Sequence, residues 1–156
     1  MTKMASGGLI GLALLLLPGC GAGGGNGTIT PDDVSKTFGS GDPKITTLPS
    51  GLMYQDVKEG TGAEAETGKS IHVHYTGYFV DGAKFDSSLK RGTPFQVRLG
   101  AGQVIRGWEL GIVGMKEGGK RKLLIPSALG YGPRGSGASI PPNTNLVFDI
   151  ELLKVE

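Results

Sequence analysis

Residues 70–79 read Ser-Ile-His-Val-His-Tyr-Thr-Gly-Tyr-Phe, and apolar and polar side chains alternate along the first part of this stretch. Ile71, Val73 and Tyr75 would share one face of an extended chain, and the polar residues between them would lie on the other. Because successive side chains of a strand point to opposite faces, this alternation predicts a half-buried antiparallel strand.

A hairpin is expected directly after this strand. Asp81-Gly82 is a dipeptide typical of tight turns between paired strands, and residues 84–86 begin the return. The sheet is expected to hold about five strands, because similar apolar patterns recur along the chain. These further patterns lie at residues 52–57, 95–99, 121–125 and 146–152.

One short helix is expected between the strands. Ile105, Trp108 and Ile112 follow the spacing of one helix face, and Gly114 can end the helix. Gly107 and the second glycine inside it are poor helix formers, so this helix has to depend on packing. The elements predict an α+β fold, an antiparallel sheet of about five strands wrapped over one short helix.

Residues 127–145 form a long connection for a compact domain, and loops of this length are often functional. The loop carries Tyr131 and Ile140 as large apolar or aromatic side chains, and its prolines restrict the backbone. We therefore expect this loop to form one wall of a pocket.

The beginning of the chain is typical of an export signal. Lys3 supplies a positive charge, and residues 9–17 are an apolar run too short to span a bilayer, which takes about 20 residues. Leu17-Pro18-Gly19-Cys20 resembles the lipobox of bacterial lipoproteins, with Pro18 where a small residue is usual. In such proteins the cysteine is acylated and becomes the new N-terminus. An ordinary secretory signal and a buried helix with a chance cysteine are the alternatives.

These features predict how the chain is divided. Residues 1–19 are expected to be a lipoprotein signal peptide, residues 20–46 a glycine-rich tether and residues 47–156 the folded domain. Cys20 is the only cysteine, so no internal disulfide can form. The protein is expected to be exported and anchored to a membrane through acylated Cys20. Gly21 after the cysteine favours the outer membrane or its periplasmic face.

The charge of the chain argues against nucleic acid as a partner. The 156 residues carry a net charge of +2, and the predicted signal peptide contributes Lys3 and no acidic residue. The short basic run at 116–122 contains Glu117 and is interpreted as a solvated strand edge. A balanced chain lacks the basic patch that a polyanion requires.

Five short motifs resemble those of FKBP-type peptidyl-prolyl cis-trans isomerases. They are Val-His-Tyr-Thr-Gly at 73–77, Lys-Phe-Asp-Ser-Ser at 84–88, Val-Ile-Arg-Gly-Trp at 104–108, Ile-Pro-Pro at 140–142 and Leu-Val-Phe-Asp-Ile-Glu-Leu-Leu at 146–153. The resemblance runs from about Leu48 to Glu156. It implies a half-barrel with an apolar cavity between sheet and helix, and an enzyme that isomerises X–Pro bonds.

The resemblance also implies roles for the residues of this cavity. Trp108 would form the floor, and Asp86 would be the polar group at the edge. The backbone N–H of Ile105 and the hydroxyl of Tyr131 would hydrogen-bond carbonyls of a bound peptide. The catalytic residues implied are Tyr75, Phe85, Asp86, Tyr131 and Phe148, and the substrate-binding residues implied are Phe95, Val104, Ile105, Trp108 and Ile140.

The implied reaction needs few kinds of chemical group. Rotation about an X–Pro bond crosses a barrier of about 18–20 kcal/mol because the amide loses resonance, and no bond has to be cleaved. An apolar cavity can favour the twisted amide, which is less polar than the planar one. We therefore expect no cofactor or metal. The expected partners are proline-containing polypeptides, and the protein is expected to be a monomer. Macrolide inhibitors are further candidate ligands.

Other functions stay open on the sequence alone. A proline-peptide binding or chaperone module would use the same pocket without turnover, and a purely structural lipoprotein would leave the pocket residues unexplained. His72 and His74 share a strand face, but no third metal ligand accompanies them. Residues 130–135 match the dinucleotide pattern Gly-x-Gly-x-x-Gly, but Pro133 removes an amide that a phosphate would need.

Overall fold

The computed structural model describes residues 27–39 and 44–156. The predicted signal peptide and Cys20 therefore lie outside the described residues. Within them, no helix is both long enough and apolar enough to cross a bilayer. The elements in chain order are α1 (Pro31–Phe38), β1 (Ile45–Thr47), β2 (Met53–Lys58), β3 (Ser70–Phe79), β4 (Lys84–Ser87), α2 (Ser88–Arg91), β5 (Phe95–Arg98), α3 (Arg106–Ile112), β6 (Lys120–Ile125) and β7 (Leu146–Val155).

The seven strands of the described chain form one antiparallel sheet in the order β1-β2-β6-β7-β3-β4. Strand β5 pairs with the first half of β3, and β4 pairs with the second half along the same edge. The expected fold class, an antiparallel sheet over a short helix, is confirmed. The strand number exceeds the expected value because β1 belongs to the predicted tether, and because α2 separates β4 and β5.

Strand β3 organises this sheet. It spans residues 70–79, as its alternation predicts, and pairs with β7 along nearly its whole length. Ile71 and Val73 are fully buried, and Tyr75 is buried beside them. The predicted inward face of β3 is therefore the face that lines the core.

Helix α3 lies very close to the sheet. A Cβ atom at Gly107 would be 2.5 Å from Cγ2 of Ile125, and one at Gly111 would be 2.8 Å from a methyl group of Leu123. No side chain larger than hydrogen fits at either position without displacing the facing side chain of Ile125 or Leu123. The two glycines weaken the helix as a local structure, but they allow its backbone to pack directly on the strand.

A buried arginine connects the last turn of α3 to strands β2 and β6. The side chain of Arg121 is 7% exposed and forms an ion pair with Asp56, with a nitrogen–oxygen distance of 2.6 Å. It also donates hydrogen bonds to the carbonyl oxygens of Gly111 and Val113. Its guanidinium lies 4.2 Å from the ring centroid of Tyr54. Arg121 thus holds the last turn of α3 against β2 and β6.

Part of the segment predicted as a flexible tether is folded instead. Helix α1 begins with a capping box, in which Thr30 and Asp33 each bond the backbone N–H of the other. Strand β1 pairs with β2. Residues 31–38 and 45–46 of this segment therefore form regular structure, while the domain boundaries at 19, 46 and 47 stay predictions.

The reason lies in a second hydrophobic cluster on the outer face of the sheet. Phe38 is only 9% exposed and packs with Leu124 and Val147. Ile29 and Val34 pack against the same cluster. A few apolar residues at helical spacing suffice to bury one face of α1, although the glycines around them make the average composition resemble a linker.

Gly107→Ala is expected to lower the free energy of unfolding, even though alanine is the better helix former by about 1 kcal/mol. The added methyl group would overlap Ile125, and overpacking of a core costs about 1–3 kcal/mol. Chemical denaturation measures the difference. Ile125→Ala opens space for the new methyl, so the double variant should be more stable than the sum of the single effects predicts. Simple additivity would contradict the contact.

Candidate active site

A cavity of about 390 Å³ lies between the concave face of the sheet, helix α3 and the loop at 127–145. Strands β3, β4, β5 and β7 contribute to it, together with the residues at the beginning of α3. The lining residues are Tyr75, Phe85, Asp86, Phe95, Gln103, Val104, Ile105, Trp108, Tyr131 and Phe148. The volume is within the range of small-ligand sites, which begins at about 300 Å³.

Trp108 lies at the centre of the aromatic side chains that form this cavity. Its ring centroid is 4.9 Å from that of Tyr75, 5.3 Å from that of Phe148 and 6.0 Å from that of Phe95. All three pairs meet edge to face, and such contacts contribute about 0.5–1.5 kcal/mol each beyond the burial of area. Because Trp108 is only 4% exposed, these contacts form a closed apolar floor.

A glycine of β3 makes room for two of the rings. A Cβ atom at Gly77 would lie 2.6 Å from the ring of Phe85 and 3.0 Å from the ring of Phe148. The centroids of these two rings are 5.6 Å apart. The glycine of the Val-His-Tyr-Thr-Gly motif therefore serves the packing of the cavity, and its missing side chain lets both rings lie directly over the strand.

Ser88 fixes the backbone of Tyr75. Its hydroxyl accepts a hydrogen bond from the N–H of Tyr75 at 2.8 Å and donates to the carbonyl oxygen of the same residue at 3.3 Å. Ser88 is fully buried, and His74 Nδ1 lies 3.0 Å from the same hydroxyl. The serine at the end of the Lys-Phe-Asp-Ser-Ser motif thus positions a residue of the cavity.

The edge of the cavity is a closed polar network of three side chains. The hydroxyl of Tyr75 donates to Asp86 Oδ2 at 2.5 Å. Arg91 donates to Asp86 Oδ1 at 2.9 Å and to the hydroxyl oxygen of Tyr75 at 2.8 Å. Each of the three groups contacts the other two, so the network fixes both the Tyr75 ring and the carboxylate.

These contacts set the protonation states of the network. Burial opposes ionisation of Asp86, but the hydrogen bonds from Tyr75 and Arg91 outweigh it and lower the pKa of the carboxyl group. Burial, followed by the hydrogen bond to Asp86, raises the pKa of the Tyr75 hydroxyl. Burial also raises the pKa of Tyr131. At neutral pH the carboxyl group is therefore ionised and both phenols keep their protons.

Two donors at the edge of the cavity are unoccupied within the part of the chain that the structure describes, in addition to the buried indole N–H of Trp108 in its floor. No described residue accepts a hydrogen bond from the backbone N–H of Ile105 or from the hydroxyl of Tyr131. Ile105 lies at the N-cap of α3, where the helix itself does not use the backbone N–H. The geometry leaves both groups able to bind a carbonyl oxygen, and their assignment to a bound peptide stays a prediction.

The structure brings the predicted site residues together around one cavity, with a single exception. Ile140 is buried in the adjoining core and does not line the cavity, because the Ser136–Ile140 bridge folds the loop back on itself. The individual catalytic and substrate-binding roles stay predictions.

Sequence reasoning missed two residues at this site. Arg91 joins the polar edge, and its only local signal is its position five residues after Asp86. Gln103 lines the cavity while its Oε1 atom accepts the N–H of Arg98, and no residue pattern indicates this. The residues of the apparent dinucleotide pattern form a single 3₁₀ turn at Gly132–Arg134.

The chain is similar to known prolyl isomerases. Residues 62–153 match the family model described as FKBP-type peptidyl-prolyl cis-trans isomerase. The chain is 59% identical over 105 residues to the FK506-binding protein of Neisseria meningitidis serogroup B, a match that covers 67% of this chain and 96% of the relative.

Two solved structures share its fold. The crystal structure of AtFKBP13 is 43% identical with a TM-score of 0.68, and the match covers 72% of this chain and 99% of the other. The crystal structure of FkpA from Escherichia coli is 40% identical with a TM-score of 0.71, and the match covers 80% of this chain and 57% of the other.

Arg91→Met is expected to raise the pKa of Asp86, which in the folded protein lies below the ordinary value of 3.8. The variant loses a charged hydrogen-bond donor, while the burial that opposes ionisation remains. Titration of the Asp86 carboxyl carbon by NMR measures the change. Lys90→Met removes the neighbouring positive charge, which has no bond to the carboxylate, and should leave the pKa near the original value. Equal shifts in both variants would argue against the network.

The same network predicts how stability depends on pH. Because the pKa of Asp86 is lower in the folded than in the unfolded state, its stabilising effect is complete above the unfolded value and is lost as the pH falls through the folded value. The free energy of unfolding should therefore decrease below about pH 4. This decrease should be smaller in Arg91→Met, and urea unfolding at several pH values tests the difference.

Proposed function

This chain belongs to the FKBP-type peptidyl-prolyl cis-trans isomerases, and we propose that its aromatic cavity is the place where an X–Pro bond is rotated. The observation that carries this assignment is the enclosed group of rings around Trp108, with two unoccupied hydrogen-bond donors at its edge. The substrates of such an enzyme are proline-containing polypeptides.

The cavity would act by binding the twisted amide better than the planar one. The planar amide is stabilised by resonance and is strongly polar, and this stabilisation accounts for the barrier of about 18–20 kcal/mol. An apolar environment without water withdraws solvation from the planar form more than from the twisted form. The floor formed by Trp108 and Phe148 provides such an environment.

Groups at the edge of the cavity would hold the peptide on both sides of the rotating bond. The N–H of Ile105 and the hydroxyl of Tyr131 would bind carbonyl oxygens of the substrate, so that only the X–Pro bond is free to turn. The displaced carbonyl would meet the ring edges of Tyr75, Phe85 and Phe148 through weak C–H···O contacts. Asp86 would orient the Tyr75 ring and would not transfer a proton.

Phe85→Ala is expected to lower kcat/KM for a proline peptide by about tenfold, because a ring edge that contacts the rotating carbonyl is lost. A protease-free isomerisation assay on the folded protein measures this value. Leu89→Ala is the matched control: Leu89 follows the same motif, is 61% exposed and does not line the cavity.

Two outcomes of this assay would contradict the proposal. Unchanged turnover in Phe85→Ala would show that the Phe85 ring takes no part in the mechanism. Activity of the unaltered protein equal to buffer, together with measurable binding of a proline peptide, would identify a binding or chaperone module. The relative named FK506-binding protein further supports testing macrolides, which should compete with the peptide for the same cavity.

We also propose that the isomerase works outside the cytoplasm as a lipoprotein attached through Cys20. Support comes from the apolar run at 9–17 and the lipobox-like Leu17-Pro18-Gly19-Cys20. Gly27 is the first residue that the structure describes and lies seven residues after Cys20, and seven extended residues span at most about 25 Å. An acylated Cys20 would therefore hold the domain close to the membrane.

Mass spectrometry of the mature protein from a bacterial host tests this attachment. The expected N-terminal peptide begins at Cys20 and carries the mass of acyl chains, and the protein fractionates with membranes. Cys20→Ala should leave the signal uncleaved at this site and remove the lipid. A mature chain with an unmodified Cys20 would identify an ordinary secreted protein instead.

A further inference from the structure

Asn145 joins three parts of the chain that are far apart in sequence. Its Oδ1 atom accepts the backbone N–H of Ser127 at 3.1 Å. Its Nδ2 atom donates to the carbonyl oxygen of Thr28 and to Asp33 Oδ2, each at 3.2 Å. The orientation of the amide follows from its partners, because a backbone N–H only donates and a carbonyl oxygen only accepts.

Two of these residues close the base of the loop that carries Tyr131. Ser127 and Asn145 are the first and last residues of that loop. Ser127 is buried and begins a 3₁₀ turn, and its carbonyl oxygen accepts the N–H of Gly130 immediately before Tyr131. A second contact, from the N–H of Asn143 to the carbonyl oxygen of Gly132, lies just beyond. The bond between Ser127 and Asn145 thus fixes the end of the loop from which Tyr131 extends into the cavity.

The third part is the folded segment ahead of the domain. Asp33 Oδ2 accepts both the N–H of Thr30 and the amide of Asn145, so the cap of helix α1 and the base of the loop share one carboxylate oxygen. Gly27 packs so closely on this base that a Cβ atom there would lie 1.7 Å from Ser127 Oγ. The segment therefore packs in direct contact with the base of the loop.

We infer that Asn145 is a positioning residue for the isomerase: with helix α1 it holds the loop at 127–145 so that Tyr131 is placed to bind the substrate carbonyl. The inference rests on the isomerase function proposed above. The three contacts require one acceptor and two N–H donors, which a hydroxyl and a carboxylate cannot supply, because a hydroxyl has one proton to donate and a carboxylate has none; glutamine carries the same amide one methylene further from the backbone. The segment between the predicted membrane anchor and the domain therefore helps to hold a loop of the active site in place.

Asn145→Ala is expected to raise KM for a proline peptide by about threefold to tenfold, the range that the loss of one hydrogen bond gives, with a much smaller change in kcat. Tyr131 is inferred to bind the substrate before rotation, so a loosened loop weakens binding more than turnover. The assay is run on the folded variant well below its melting temperature. A residue that only stabilises the fold would lower that temperature and leave KM unchanged.

Asp33→Ala provides a second test with a matched control. This variant should also raise KM, because it removes the carboxylate oxygen that accepts hydrogen bonds from both the cap of α1 and Asn145. Asp32→Ala removes the neighbouring carboxylate, which forms an exposed ion pair with Lys36, and should leave KM unchanged. If Asn145→Ala does not fold, the comparison of Asp33→Ala with Asp32→Ala tests the inference in its place. An unchanged KM in Asn145→Ala, or equal effects of Asp32→Ala and Asp33→Ala, would overturn the inference.

Hydrogen–deuterium exchange separates failure of this inference from failure of the proposed function. In Asn145→Ala and Asp33→Ala the amides of residues 127–131 should exchange faster than in the unaltered protein, whether or not the protein is an isomerase. Unchanged exchange would overturn the link between α1 and the loop. Faster exchange in a protein without isomerase activity would contradict the function and leave the link in place.

Discussion

The close approach of helix α3 to the sheet is the constraint on which the active site depends. Gly107 and Gly111 let the helix backbone pack directly on β6, and Arg121 fastens its last turn. This depth places Trp108 within edge-to-face distance of rings from β3, β5 and β7. A helix held further away would open the floor of the cavity to water. In the proposed mechanism, exclusion of water from the cavity favours the twisted amide.

The polar groups at the edge of the cavity hold Tyr75 in place. Ser88 fixes the backbone of Tyr75, and Asp86 with Arg91 fixes its hydroxyl. The Tyr75 hydroxyl and the Asp86 carboxylate are each hydrogen-bonded by the other members of this network, so their desolvation is offset. Rigidity at the edge matters here because the difference between the planar and the twisted amide is a small displacement of one carbonyl group.

The segment ahead of the domain connects two proposals about this protein. Helix α1 covers apolar residues on the outer face of the sheet, and its cap shares Asp33 with the base of the active-site loop. A short connection to an acylated Cys20 would bring this support close to the membrane. The active site and the attachment would then be mechanically linked through Asn145, so residues distant from the cavity would influence substrate binding.

The sequence by itself determines strands β2, β3, β5, β6 and β7 and helix α3, because an element that buries one face has its apolar residues at the period of that element. Family motifs then identify Tyr75, Phe85 and Asp86. Only the tertiary structure decides the contacts that cross the chain. Arg91 bonds side chains on two strands, and Asn145 finds partners 18 and 112 residues away. No local sequence pattern predicts such pairs, because the partners meet only after the sheet and α1 have formed.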